Sequence, residues 1–144
     1  IADNGKGMDE NTIKMAQDPF FTTKLNKRVG LGIPFLAQSA REAMGDVSIK
    51  SKKRKGTTIT ATFKYNHIDR KPLGDIEKTL TVLIAGNPEI DFVYEHKRNS
   101  HTYYLDTTEI KKKLKGIPTN HPEVIKIIKD GIRQWQNDTK DVVK

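Results

Sequence analysis

Cysteine is absent from the 144-residue chain, which excludes a disulfide framework, a zinc site with cysteine ligands and a cysteine nucleophile. Tryptophan occurs once, and no apolar run approaches the roughly 20 residues that a membrane-spanning helix needs. No secretory leader opens the sequence. Together these absences predict a soluble, cytoplasmic protein that does not enter a membrane.

The residues that are present are those of a polar but globular chain. Hydrophobic residues make up 35% and charged residues 31% of the sequence, so it is richer in apolar side chains than a typical disordered segment. A length of 144 residues suffices for one domain with a small appendage. Residue 1 is Ile rather than Met, which predicts either a processed protein or a fragment of a longer chain.

Positive charge is concentrated in the first part of the chain. The whole sequence has 26 Lys and Arg against 18 Asp and Glu, a net charge of +8. Residues 1–65 contribute 12 basic and 6 acidic side chains, net +6, whereas residues 66–144 contribute 14 and 12, net +2. This excess favours a polyanionic ligand such as phosphate in the first part. The composition also changes near Tyr65, where a strand-like run ends. We therefore predict two parts, residues 1–65 and 66–144.

Hydrophobic periodicity predicts an α+β organisation for the first part. The predicted elements of residues 1–65 are helices over 8–16 and 30–44, a loop over 18–29, and an antiparallel hairpin with strands over 47–49 and 57–63 and a turn at 52–56. Alternation in the second strand places Ile59, Ala61 and Phe63 on its inner face.

The second part is also predicted to be α+β. Its predicted elements are helices over 73–85 and 122–136, a short helix capped by Thr107 or Thr108, and paired strands over 90–97 and 101–106. The last helix has a buried stripe at Val124, Ile128, Ile132 and Trp135.

Three short segments contain residue patterns that suit ligand binding. DNGKGM at residues 3–8 sets a carboxylate ahead of two glycines, which suits recognition of an adenine amino group by a closely approaching backbone. DPFFTTK at residues 18–24 suits a lid that reaches a terminal phosphate, and it equally suits a surface loop held by an aromatic side chain. GLGI at residues 30–33 opens a helix, whose free N–H groups favour phosphate. Each segment alone is also typical of an ordinary turn, loop or helix start.

The order of these segments, followed by GTT at residues 56–58 ahead of a strand, resembles the ATP-binding domain of the GHKL superfamily. That group includes sensor histidine kinases, gyrase B-type and MutL-type ATPases and Hsp90, and the histidine-kinase branch is the most similar. The resemblance covers residues 1 to about 65. It implies a two-layer α/β sandwich of the Bergerat type, incomplete at its N-terminus, followed by a small appended α+β element at residues 66–144.

The resemblance implies an ATP site with named residues. Asp3 would accept a hydrogen bond from the adenine amino group, and Thr57 would support the ring directly or through water. Phe20 would anchor the lid, and Lys24 would approach the phosphates. The other residues that the resemblance assigns to ATP are Gly5, Gly7, Met8, Thr23, Gly30, Leu31 and Gly32. Lys27 and Arg28 also fall in the lid, where they either add positive charge or are solvated surface.

The family also has an earlier helix whose Asn holds Mg²⁺ and whose Glu, in the hydrolytic branches, activates water. No such segment precedes Ile1 here, so the intact protein is expected to bind ATP with Mg²⁺ while this chain lacks the Asn ligand. No catalytic residue is assigned. We expect an ATPase or protein kinase of signalling or regulation at full length, and an inactive chain as given.

A second interpretation is a non-catalytic binding module. The run Lys52-Lys53-Arg54-Lys55 is either a solvated turn or a contact for an acidic protein or a nucleic acid, and the lack of interleaved aromatic residues disfavours nucleic acid. Residues 66–144 would contact a protein partner. Their strand aromatics either stack on bases or pack in a core, namely Phe92, Tyr94, Tyr103 and Tyr104. None of the four histidines has the sequence context of a phosphoacceptor.

Overall fold

The computed structural model describes residues 1–21, 30–114 and 116–140. These residues form an α+β structure with antiparallel sheets, as predicted. The chain divides into two compact units, Ile1–Pro72 and Leu73–Lys144. No helix in the described part of the chain is long and apolar enough to cross a bilayer.

The first unit is a three-stranded sheet with helices. Its described elements, in chain order, are β1 (Ala2–Asp3), α1 (Glu10–Met15), α2 (Gly32–Glu42), β2 (Val47–Lys52) and β3 (Gly56–Ala61). The strand order is β1-β3-β2, with antiparallel pairing throughout. The predicted hairpin is therefore confirmed, and its turn is a three-residue connection between Lys52 and Gly56.

Side-chain alternation gives the hairpin an inner and an outer face. Val47 of β2 is buried and joins the core, whereas Lys50 and Lys52 are exposed on the opposite face. The core consists of Ala37, Ala40 and Val47, surrounded by the partly buried Leu36, Ile49, Ile59 and Ala61. The small alanines allow α2 to approach the sheet closely. A helix layer on one sheet face agrees with the two-layer sandwich that the resemblance implies.

One residue of the predicted hairpin core is misplaced. Phe63 was expected on the inner face of the second strand, but β3 ends at Ala61 and Phe63 is 40% exposed. Thr62 still bonds to Asp46 just beyond the β2–β3 ladder, but the Lys64 N–H donates to the Ala43 carbonyl oxygen at 2.9 Å, so the chain leaves β2 after Thr62. The alternating pattern therefore continues two residues beyond the strand.

The second unit contains a two-stranded sheet and three helices among its described residues. Its elements are α3 (Ile76–Gly86), β4 (Val93–Arg98), β5 (His101–Asp106), α4 (Thr107–Lys113) and α5 (Pro122–Lys140). The core is formed by Ile84, Leu105, Val124, Ile128 and Ile132. The stripe predicted for the last helix is thus confirmed at its three isoleucine and valine positions. Trp135 is half-buried and lies 4.5 Å, between ring centroids, from His96.

The strand aromatics of the second unit are mainly core residues. Phe92, Tyr94 and Tyr103 pack against the buried cluster, while Tyr104 is exposed. Tyr94 and Tyr103 also contact each other, and the Tyr94 hydroxyl lies 2.8 Å from His96 Nδ1. Burial lowers the pKa of His96 below its ordinary value, with a smaller contribution from Arg98. The core-packing interpretation therefore describes three of these four aromatic residues.

The cap predicted for the short helix is assigned to the wrong residue. Asp106 is the N-cap of α4, and its carboxylate accepts a hydrogen bond from the Thr108 N–H at 2.8 Å. Hydrogen bonding from Thr108 lowers the pKa of Asp106. Thr107 is fully buried instead, and its hydroxyl oxygen accepts the Phe92 N–H at 2.8 Å. The Thr107 side chain is thus used to hold the segment that precedes β4.

Candidate nucleotide-binding site

Asp3 and Thr57 occupy directly opposed positions on neighbouring strands. The β1–β3 ladder pairs Asp3 with Thr57 and Ala2 with Thr58. Opposed residues of an antiparallel pair project from the same face, with Cβ atoms about 4.5–5.5 Å apart. The fold therefore brings the two residues assigned to adenine recognition together, although 53 residues lie between Asp3 and Thr57 in the sequence.

The Asp3 carboxylate is oriented by its own loop. Its Oδ1 atom accepts a hydrogen bond from the Gly5 N–H at 2.8 Å. A Cβ atom at residue 5 would lie 2.8 Å from the same oxygen, so a larger residue would push the carboxylate away. Because a carboxylate oxygen has more than one lone pair, this bond leaves Asp3 able to accept another from a ligand.

Ser51 joins the loop to the hairpin. Its Oγ atom accepts the Met8 N–H at 2.8 Å, donates to the Gly56 carbonyl oxygen at 3.0 Å and lies 2.9 Å from Thr57 Oγ1. A serine hydroxyl has one proton. Since the Gly56 carbonyl takes it, the Thr57 hydroxyl donates to Ser51. Thr57 Oγ1 then retains lone pairs with which it accepts a hydrogen bond from a ligand or a water.

Gly7 and Gly56 allow the backbone segments of the site to pack directly on each other. Gly7 has φ +62° and a Cβ there would lie 2.0 Å from the Lys52 carbonyl oxygen. Gly56 has φ +97° and a Cβ there would lie 1.9 Å from the Asp3 carbonyl oxygen. Neither position accommodates a side chain without moving main chain. These glycines fix the distance between the DNGKGM loop and the hairpin.

A surface pocket of about 260 Å³ lies beside the hairpin turn. Lysines and hydroxyl side chains predominate in its lining, and Asp3 is its acidic residue. The lining residues are Asp3, Lys50, Ser51, Lys52, Lys55, Gly56, Thr57 and Thr58. The predicted adenine pair thus borders a cavity that combines a carboxylate acceptor with positive charge.

A backbone hydrogen bond joins the residues on either side of the predicted lid. The Gly30 N–H donates a hydrogen bond to the Pro19 carbonyl oxygen at 3.1 Å. Phe20 is 82% exposed, whereas Phe21 is half-buried, and the anchoring role of Phe20 stays a prediction. Adjacent aromatic residues point in different directions here, and only one of them turns inward. Thr23 and Lys24, like Lys27 and Arg28, lie outside the described residues.

The GLGI segment opens α2 as predicted. Leu31 is the N-cap, and its side chain provides no capping hydrogen bond. Gly32 begins the helix in open space, since a Cβ added there would have no neighbouring atom within 4 Å. Pro34 lies in the first turn and has no N–H to donate. The Gly30 N–H is already used by Pro19, so the N–H groups of Leu31, Gly32 and Ile33 are the donors at this helix start.

Asp9 stabilises the short helix that follows the DNGKGM loop. It is the N-cap of α1 and accepts the Thr12 N–H at 2.8 Å, which lowers the pKa of its carboxyl group. As to metals, the described residues contain no group of three acidic or histidine side chains arranged to hold an ion.

Ser51 was missed by the sequence analysis. It stands within a lysine-rich run that leads into the predicted turn, and this surrounding charge obscures its role. The available signal was alternation, because Val47, Ile49 and Ser51 share one strand face and a polar residue that continues an apolar row faces inward.

We predict that Ser51→Ala destabilises the first unit and loosens the loop over residues 4–8. The substitution removes the acceptor of the Met8 N–H, which is partly buried, so we expect a loss of about 1 kcal/mol, at the low end of the cost of an unsatisfied donor. Urea denaturation measures the free energy of unfolding, and amide exchange at Met8 reports on the loop. Ser48→Ala, on the exposed face of the same strand, is the matched control. Equal stability of the two variants would contradict the role of Ser51.

Comparison with known proteins agrees with this geometry. Residues 1–67 match the family of histidine kinase-, DNA gyrase B- and HSP90-like ATPases. Over 64 residues, which are 44% of this chain and 10% of the relative, it is 42% identical to a protein of Shewanella frigidimarina named as a putative sensor protein. Over 73 residues, 49% of this chain and 10% of the relative, it is 33% identical to sporulation kinase E of Bacillus subtilis. No solved structure matches the chain.

The matched region coincides with the described site. It runs from the strand that carries Asp3 through α2 and the hairpin that carries Thr57. The chain spans about a tenth of the length of the two relatives. The similarity to histidine kinase-, DNA gyrase B- and HSP90-like ATPases therefore covers residues 1–67, just under half of the chain.

Proposed function

We propose that residues 1–67 bind ATP as part of a histidine-kinase-like ATPase. The observation that supports this most directly is the pairing of Asp3 with Thr57 on one face of the sheet. A carboxylate oriented by the Gly5 N–H accepts a hydrogen bond from the adenine amino group, and the Thr57 oxygen accepts a second one from the other amino hydrogen or from a bridging water. In this proposal Gly7 and Met8 also border the adenine, because the Met8 N–H is held by Ser51, which lines the pocket.

The phosphates of the nucleotide are assigned to the GLGI helix start and to the segment before it. The N–H groups of Gly32 and Ile33 provide donors at the positive end of a helix of 11 residues. In this proposal Thr23 and Lys24 contribute a hydroxyl and a positive charge, and Mg²⁺ accompanies the triphosphate in the intact protein. When bound, the ion neutralises phosphate charge.

The activity of the whole protein is a wider proposal. The relatives are named as a sensor protein and a kinase, which supports a role in signalling in which the γ-phosphate is transferred or hydrolysed. We propose a cytoplasmic location, because ATP is available to a protein in the cytoplasm. Residues 66–144 are proposed as a separate α+β element that contacts a protein partner, and the basic hairpin tip is the feature that favours a binding role for the first unit as well.

The proposal is tested by titrating the full chain with a fluorescent ATP analogue, with and without Mg²⁺. We expect saturable binding that ATP displaces and that inorganic tripolyphosphate displaces much less effectively. This comparison is necessary because the lysines around the pocket attract any polyphosphate. Equal displacement by ATP and tripolyphosphate would show that charge alone holds the analogue, and the adenine assignment would be withdrawn.

A further inference from the structure

Strand β2 is an edge strand of its sheet. In the order β1-β3-β2 it pairs with β3 on one side, and no other strand of the described residues pairs with its opposite side. An unpaired edge presents backbone N–H and C=O groups that are able to pair with another extended chain.

The register identifies which backbone groups point outward. The Thr62 N–H donates to the Asp46 carbonyl oxygen at 2.8 Å, and the Asp46 N–H donates to Thr62 Oγ1 at 3.0 Å, so the backbone groups of this pair face each other across the hairpin. Such pairs alternate along an antiparallel ladder. Val47, Ile49 and Ser51 therefore direct their backbone groups away from β3. Ile59, opposite Ile49, agrees with this assignment because its backbone groups bond to Ile1 on the far side of β3.

The same edge is strongly basic. Lys50 and Lys52 project from the outer face of β2, and both are exposed. The turn adds Lys53, Arg54 and Lys55. Lys6 lies next to them, since its carbonyl oxygen accepts the Arg54 N–H at 2.7 Å. Among the described residues, no carboxylate lies within 4.0 Å of any of these six cations.

We propose that the β2 edge binds an extended acidic segment of a partner protein as an additional antiparallel strand. Backbone pairing with Val47, Ile49 and Ser51 would supply the hydrogen bonds. Acidic residues at every second position would face Lys50 and Lys52, because alternate residues of a strand repeat at about 6.6–6.8 Å on one face. The positions between them would carry apolar side chains beside Ile49.

A peptide fits this edge better than a nucleic acid does. The outer face of the hairpin offers lysine, serine and threonine side chains but no aromatic ring for base stacking. The open backbone edge, in contrast, complements another main chain and not a phosphodiester. The proposal goes beyond ATP binding and does not depend on it. Lys50, Ser51 and Lys52 also line the pocket, but the added strand would pair with the open edge of β2 and would use neither Asp3 nor Thr57.

The competing explanation is that the lysines only protect the edge from aggregation. Lysine on an edge strand commonly prevents pairing with other copies of the chain. If the lysines only protect the edge from aggregation, an acidic peptide should bind weakly, and its affinity should depend only on its total charge. Docking as a strand predicts dependence on the peptide's backbone N–H groups and on their position.

The test uses the full chain and a labelled synthetic peptide in which three glutamates alternate with valines, followed by fluorescence anisotropy. Two N-methylated versions form a matched pair. Residues opposite Lys50 and Lys52 direct their N–H groups away from β2, so methylation of the glutamate amides is expected to be tolerated. Methylation of the valine amides removes the N–H groups that face β2 and is expected to weaken binding about tenfold or more.

Charge variants provide the second arm. The double variant Lys50→Glu/Lys52→Glu should lose the glutamate peptide and gain affinity for a peptide with lysine in place of glutamate. The control Lys53→Glu/Lys55→Glu changes the same net charge in the turn and should have a smaller effect. Circular dichroism melting confirms that both variants are folded, and the gain of the lysine peptide distinguishes lost recognition from lost structure.

Four results would overturn the proposal. They are no measurable binding of the glutamate peptide, equal effects of the two N-methylated sets, equal effects of the strand and turn charge reversals, and tighter binding of a single-stranded oligonucleotide than of the peptide. The last three would make the region a general polyanion-binding surface. A tenfold preference for free valine amides together with charge-swap rescue would establish docking along β2.

Discussion

Replacing Asp3 by Asn is expected to weaken ATP binding by about 1.5–3 kcal/mol, which is roughly 10- to 150-fold in Kd. The carboxylate is assigned to the adenine amino group, and hydrogen bonds to a charged acceptor are stronger than neutral ones. The fold should survive, because the Asn side-chain oxygen still accepts the Gly5 N–H that Asp3 Oδ1 accepts now. Displacement titration of a fluorescent ATP analogue measures the change.

Asp46→Asn is the matched control for this variant. Asp46 is an exposed carboxylate of the same unit, and it precedes β2 at the end of the hairpin distant from Asp3. The Asp46→Asn substitution removes one negative charge, as Asp3→Asn does. An equal loss of ATP affinity in both variants would therefore mean that net charge determines binding. Unchanged affinity of Asp3→Asn, with the variant folded, would remove Asp3 from the site.

Gly56→Ala is expected to cause the largest loss, in both stability and nucleotide binding. A Cβ would lie 1.9 Å from the Asp3 carbonyl oxygen, so β1 must move away from β3. The positive φ adds its own cost, about 1–2 kcal/mol for an L-residue. For a unit of this size, 2 kcal/mol corresponds to a fall of about 8–16 °C in melting temperature. Because Asp3 moves with β1, ATP affinity should fall as well.

Gly32→Ala is the control for the glycine substitution. Nothing lies within 4 Å of a Cβ at Gly32, and its place at the start of α2 suits alanine. Alanine is more favourable than glycine in a helix by up to about 1 kcal/mol. Differential scanning calorimetry should therefore show an unchanged or raised melting temperature. If Gly56→Ala melted at the same temperature as the unsubstituted chain, the close packing of β1 on β3 would be refuted.

The parts of the site that could be predicted from sequence are those determined by local chemistry. The glycines, the helix start at GLGI and the hairpin with its turn follow from backbone preferences and alternation, and the structure places each of them near the predicted position. The assignment of Asp3 and Thr57 came from the resemblance. The β1–β3 register then shows them opposed, which no local pattern indicates.

The parts that were missed depend on contacts between distant segments. Ser51 matters because residues 6–8 cross the hairpin and bring the Met8 N–H to its hydroxyl. Thr107 is not the N-cap of α4, because its hydroxyl oxygen accepts the N–H of Phe92, which lies 15 residues earlier in the sequence. The choice between Phe20 and Phe21 is equally nonlocal, since both have the same side chain and the surroundings decide which is covered.

The most direct test of the central claim compares ATP with inosine triphosphate in the original chain and in the Asp3→Asn variant. The two nucleotides differ at the purine position where ATP has an amino group and inosine triphosphate has a carbonyl oxygen. If Asp3 accepts the amino proton, the original chain should prefer ATP by about tenfold or more, and the variant should lose most of that preference. Equal affinities in the original chain, or an undiminished preference in the variant, would contradict adenine recognition by Asp3.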